Sequence, residues 1–143
     1  MLGLIFSILA GVCMSLQGVL NTRASEKIGL TETNMLVQLS GLALTILIFI
    51  FFSRGNLKKL ETINKIYLLG GILGVIIIYA VMIGIEKMGT TFAISTILIA
   101  QLSSAAIIDA FALFGAKYTP FSLTKIIGVI VMIAGIVIFK WKG

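Results

Sequence analysis

Residues 2–28 read LGLIFSILAGVCMSLQGVLNTRASEKI, and no charged residue occurs before Arg23. A helix rises 1.5 Å per residue, so about 20 apolar residues cross the roughly 30 Å hydrocarbon core of a bilayer. Working outward, four more runs have that length and character, at about 31–52, 66–86, 91–114 and 123–139. An unpaired peptide group in hydrocarbon costs several kcal/mol, so each run is expected to close its own hydrogen bonds as a helix. The fold class that follows is an all-α membrane protein with five transmembrane helices in a single domain, 1–143. Gly29 is a natural stop for the first helix, Thr31 a cap for the second, and Gly89 a break between the third and fourth. Gly115–Pro120 reads as a turn, and Ser122 as the cap of the fifth helix. That helix is short, and Lys125 in its first turn is expected to snorkel to the headgroups. The longest connection, Ser53–Lys65, is too short for a soluble module.

The composition agrees. Hydrophobic residues are 59% of the chain and charged residues 11%, against about 45–50% and 25% in soluble domains. With no histidine, one cysteine and five acids, the chain lacks the residues for a zinc site or a Ser-His-Asp triad. It is not expected to be an enzyme or to carry a metal or cofactor. The lone Cys13 also rules out an intramolecular disulfide. The formal charge is +6, but the basic residues sit in small groups between apolar runs. That spacing suits interfacial anchors, whereas nucleic acid requires a continuous basic face, so no nucleic-acid partner is expected. Met1–Leu20 lacks the basic start of a secretory signal and is expected to remain as a span.

Five spans put the two chain ends on opposite sides of the membrane, which makes the distribution of Lys and Arg informative. Arg54, Lys58, Lys59, Lys65, Lys117 and Lys125 fall on the side of the N-terminus, and Arg23, Lys27, Lys87, Lys140 and Lys142 on the other. Six against five is no bias. One reading gives the decision to the long basic loop, Arg54–Lys65, which would also anchor to anionic lipid. The other has the chain insert both ways and pair with an inverted copy as an antiparallel homodimer of ten helices, an inverted-repeat architecture used by many transporters.

Polar side chains inside a span are costly and usually face a cavity or another helix. On the first helix Gly3, Ser7, Ala10, Met14, Gln17 and Asn21 fall within one stripe, about 80° wide at 100° per residue. On the second, Asn34, Gln38, Gly41 and Thr45 do the same. Two readings stay open for these amides: hydrogen bonds between helices, or the lining of a substrate cavity. The third helix carries Gly70, Gly71 and Gly74, whose G-x-x-x-G spacing favours close helix packing. Its Tyr79 is either a packed aromatic or a cavity wall. On the fourth, Gln101, Ser103 and Ser104 lie near mid-span. Asp109 follows, roughly 10 Å from the midplane by the helix rise. An ionised carboxylate there requires a cation, donors or water. Either it serves recognition or proton coupling, or it is structural, bonded to a helix end, Lys117 or Arg23.

At these residues the chain resembles the YdcZ-type family of the drug/metabolite transporter superfamily, small bacterial inner-membrane proteins regarded as exporters. The similarity rests on Gln17-Gly-Val-Leu-Asn21-Thr-Arg23, a Q-x-x-x-N-x-R pattern, and on Gly70-Gly71-Ile-Leu-Gly74. It also rests on Gln101 followed by Asp109-Ala110-Phe111 and then Gly115. The chain departs from the family pattern at Ala110, where the family has His, and at Ala112 and Ala100, where it has Gly. The resemblance implies a five-helix unit equivalent to half of a ten-helix transporter, paired with an inverted copy or a paralogous subunit. Related small multidrug exporters carry a carboxylate in the first helix, where this chain has Gln17 and Asn21, so their proton exchange does not carry over.

The function expected is therefore secondary transport of a small molecule by alternating access through a central polar cavity. The residues expected to line it are Ser7, Met14, Gln17, Asn21, Asn34, Gln38, Tyr79, Gln101, Ser104 and Asp109. A small ion channel and a non-transporting accessory subunit are the alternatives.

Overall fold

The computed structural model describes residues 1–141; Lys142, counted above with the basic residues near the C-terminus, lies outside them. Five helices are long and apolar enough to cross a membrane, and no strand occurs among the described residues. They are α1 (Leu2–Ile28), α2 (Leu30–Phe52), α3 (Gly70–Met88), α4 (Thr90–Ala110) and α5 (Leu123–Lys140). The chain forms two compact units, the first Met1–Lys87 and the second beginning at Met88.

In the first unit α1 and α2 form a hairpin about Gly29, whose φ of 100° is open to glycine at little cost. Gly29 N–H donates to Ser25 O at 3.0 Å, and Gly29 O accepts from Thr33 N–H at 3.1 Å, so one residue ends a helix and starts the next. The cap of α2 is thus Gly29, and Thr31, expected in that role, lies within the first turn. The connection to α3 holds two short 3-10 turns, Leu57–Thr62 and Lys65–Leu69. Each is opened by an asparagine: Asn56 Oδ1 accepts from Lys58 N–H at 2.9 Å and Asn64 Oδ1 from Ile66 N–H at 3.1 Å. The third span accordingly begins as a 3-10 turn at Lys65 before the α-helix proper at Gly70.

In the second unit α4 packs along α5. Gly89, with φ of 80°, precedes α4 as expected. The helix ends at Ala110, four residues short of the expected 114, because Ala112 (φ 48°) and Phe114 (φ 55°) adopt left-handed backbone. Asp109 O organises the exit, accepting from Ala112 N–H at 3.3 Å and from Thr119 N–H at 3.0 Å. Ser122 caps α5 through its carbonyl, which accepts from Lys125 N–H at 3.0 Å, with no side-chain bond.

Burial is inverted relative to a soluble fold. In the first unit Asn21, Thr22, Thr33 and Asn34 are buried, beside only Met82 and Ile85 among the large apolar side chains. Meanwhile Phe51 and Phe52 are each 76% exposed. Water would penalise that arrangement at about 25 cal/mol per Å² of apolar surface; hydrocarbon does not.

Candidate functional site

Several hydroxyls along the spans are satisfied within their own helices. Ser7 Oγ donates to Gly3 O at 2.9 Å, Thr22 Oγ1 to Gly18 O at 2.8 Å and Thr45 Oγ1 to Gly41 O at 2.8 Å. Such back-bonding lets a serine or threonine sit in hydrocarbon at little cost. An amide has two donors and an acceptor and cannot satisfy them this way. Amides are therefore the informative residues.

The structure divides the amides expected on α1 and α2. Asn34, 2% exposed, donates from Nδ2 to Val75 O on α3 at 2.9 Å. Half-buried Gln38 also turns to α3, its Nε2 being 3.6 Å from where a Cβ on Gly74 would lie. The polar stripe of α2 is thus turned, at this end, toward a neighbouring helix. On α1, Ser7, Met14 and Gln17 are exposed, while Asn21 is 9% exposed. Every residue from Met1 to Met14 is exposed, those of the stripe included, and the stripe is buried only at Asn21. Tyr79 is half-buried on α3.

One close side-chain contact of this unit was not read from the sequence. A Cβ on Gly18 would lie 2.9 Å from Ile85 Cδ1 and 3.0 Å from Val81 Cγ1. By contrast, a Cβ on Gly70 or Gly71, both expected to pack helices, would meet nothing within 4 Å, and of that trio only Gly74 has a close neighbour. Gly18 lies inside the Gln17–Arg23 motif, and its spacing to Thr22 and Ser25 was the available signal. Two further acceptors, Thr33 Oγ1 and Asn34 Oδ1, are buried without a partner among the described residues.

In the second unit half-buried Asp109 lines a cavity of about 400 Å³ between α4 and α5 together with half-buried Lys125. The α4 wall is Leu102, Ala105, Ala106 and Asp109, and the α5 wall Lys125, Gly128, Val129 and Met132. Both sets follow the i, i+3, i+4, i+7 spacing of one helix face. Gln101 and Ser104 are exposed and take no part in this wall, so the structure separates them from Asp109. Arg23 binds Glu26 at 3.0 Å, and among the described residues no ion pair joins Asp109 to Lys117. Lys125, read from sequence as an interfacial anchor, is the basic group beside it. At the other end of the α4–α5 pair, Lys140 Nζ lies 4.1 Å from the ring centre of Phe92. No cluster of three metal-ligating side chains occurs among the described residues.

Apolar helices exposed to their surroundings, with amides and a carboxylate placed on chosen faces, define a multi-pass membrane protein. The chain belongs to the family described as "putative inner membrane exporter, YdcZ", whose family model matches residues 2–138. The match takes in the Gln17–Arg23 motif, the Gly70–Gly74 turn and Asp109, and it runs almost to the end of α5. The protein is accordingly a multi-pass inner-membrane protein, and its family is a transporter class, not an enzyme class. No curated protein and no solved structure matches the chain.

Proposed function

We propose that the protein is a secondary transporter that exports a small molecule, working as an antiparallel homodimer whose two α1 helices face a shared polar cavity. The observation that carries this reading is Gln17. Its amide stands exposed near the middle of α1, in line with exposed Ser7 and Met14. An amide facing hydrocarbon without a partner costs several kcal/mol. A second copy presenting the same stripe removes that cost and creates a polar seam between the copies. The near-even split of Lys and Arg supports insertion in both orientations. Two inverted copies exchange roles during transport, so the inward-open and outward-open states have equal energy by symmetry. Uncharged amides in the seam give hydrogen bonds without a fixed charge, which suits weak binding and rapid release.

Two measurements test the reading. A reporter active only in the cytoplasm and one active only in the periplasm, each fused to the C-terminus, are expected to give comparable signals. Signal from one alone overturns the inverted dimer. Proteoliposomes loaded with a bacterial metabolite extract are expected to lose a small set of solutes, identified by mass spectrometry, in a protein-dependent way. Release of nothing, or unitary ionic currents, overturns transport in favour of an accessory subunit or a channel.

A further inference from the structure

The α4–α5 cavity holds one acid and one base on opposing walls that are otherwise apolar. Asp109 and Lys125 both line it, both are half-buried, and no ion pair joins them among the described residues. The Asp109 carboxylate makes no side-chain hydrogen bond among the described residues either; only its main-chain carbonyl is engaged, by Ala112 and Thr119. The remaining wall is Leu102, Ala105, Ala106, Val129, Met132 and the bare backbone of Gly128.

Charge balance decides what fits. A cation would satisfy Asp109 and leave Lys125 unpaired, an anion would do the reverse, and a neutral molecule would leave both unpaired. Each unpaired charge in an apolar wall is costly. A ligand with an ammonium and a carboxylate of its own satisfies both at once. We infer that this cavity binds a zwitterionic small molecule with an apolar body, the α-amino acid class, its carboxylate on Lys125 and its ammonium on Asp109. The apolar body lies against Leu102, Val129 and Met132. The volume of about 400 Å³ falls within the range of small-molecule sites, roughly 300–1,000 Å³. In naming a substrate class the inference rests on the transport reading, but binding is measurable without transport, so the two fail separately.

The test is thermal unfolding of the purified full-length chain in detergent with leucine, methionine or phenylalanine. Isocaproate and isoamylamine, each carrying a single charge, serve as matched analogues of leucine. At least one amino acid is expected to raise Tm in a concentration-dependent manner, and the analogues are expected not to. Asp109→Asn and Lys125→Gln should each weaken binding about tenfold or more, the ordinary cost of removing one charged hydrogen-bond partner. Should either variant misfold, Gly128→Val provides the control. A Cβ there meets nothing within 4 Å, so the side chain enters the cavity without a clash and leaves both charges in place. It is expected to abolish the ligand shift while keeping the unliganded Tm. The inference is overturned if no amino acid shifts Tm, if the singly charged analogues shift it equally, or if Gly128→Val binds as well as the parent.

Discussion

The side-chain amide of Asn34 donates to the main-chain carbonyl of Val75 at 2.9 Å, tying α2 to α3 across 41 residues of sequence. The same side chain leaves Oδ1 buried without a partner among the described residues. One half of the amide therefore stabilises the contact while the other half opposes it. Asn34→Ala is expected to lower stability by about 1 kcal/mol, typical of an interhelical hydrogen bond in a membrane. Asn34→Leu should cost less than Asn34→Asp, because leucine removes the orphaned acceptor, whereas aspartate loses the donor and adds charge. A mixed-micelle unfolding titration ranks the three variants. A parental midpoint for Asn34→Ala would show that this bond contributes nothing.

Gly18 makes a sharper case, since its missing side chain leaves room for Ile85 and Val81 of α3. A methyl group there would lie 2.9 Å from Ile85 Cδ1, the flexible end of that side chain, and 3.0 Å from Val81 Cγ1. Gly18→Ala should cost about 1 kcal/mol by overpacking. Ile85→Val removes Cδ1, so it is expected to recover part of that loss in the double variant though it destabilises the parent by itself. A double-mutant cycle on the same titration reads the coupling. Additive losses would mean that the two residues do not compete for space.

Why was Gly18 hidden in the sequence when the five helices were plain? Span length and the absence of charge are properties of a run, and Met1–Thr22 displays both without reference to any neighbour. The breaks at Gly29 and Gly89 were legible for the same reason, as the positive φ there is local. Partners are another matter. A helical stripe gives the face on which Gln17 or Asn34 lies, never what covers that face. G-x-x-x-G spacing pointed to Gly70 and Gly74, yet only Gly74 has a neighbour, while Gly18 does the packing. That Lys125 shares a cavity with Asp109 was not legible either, because the two come from different helices.

Gln17 and Asn34 are both amides within spans, and their contrasting surroundings separate function from stability. Gln17 is exposed on α1, and Asn34 is buried against α3. Gln17→Ala is expected to leave the unfolding midpoint within about 0.5 kcal/mol of the parent, as for surface positions. It should nevertheless reduce protein-dependent solute release from proteoliposomes severalfold. Asn34→Ala should shift the midpoint first. Unchanged release in Gln17→Ala would remove that residue from the cavity.

Ala112 makes a prediction of opposite sign. Its φ of 48° places an alanine in the left-handed region just after α4. An L-residue with a Cβ is disfavoured there by roughly 1–2 kcal/mol, since the Cβ approaches the following carbonyl oxygen. Glycine escapes that penalty but has more freedom to lose on folding, a cost of about 0.5–1 kcal/mol. The net expectation for Ala112→Gly is a gain of a few tenths to about 1 kcal/mol. Phe114, at φ 55°, is in the same region, but it also has a large side chain to lose. The alanine position therefore isolates the backbone term. A higher Tm for Ala112→Gly in detergent confirms that the end of α4 is held by backbone strain, and a lower one shows that Ala112 is not left-handed in the folded chain.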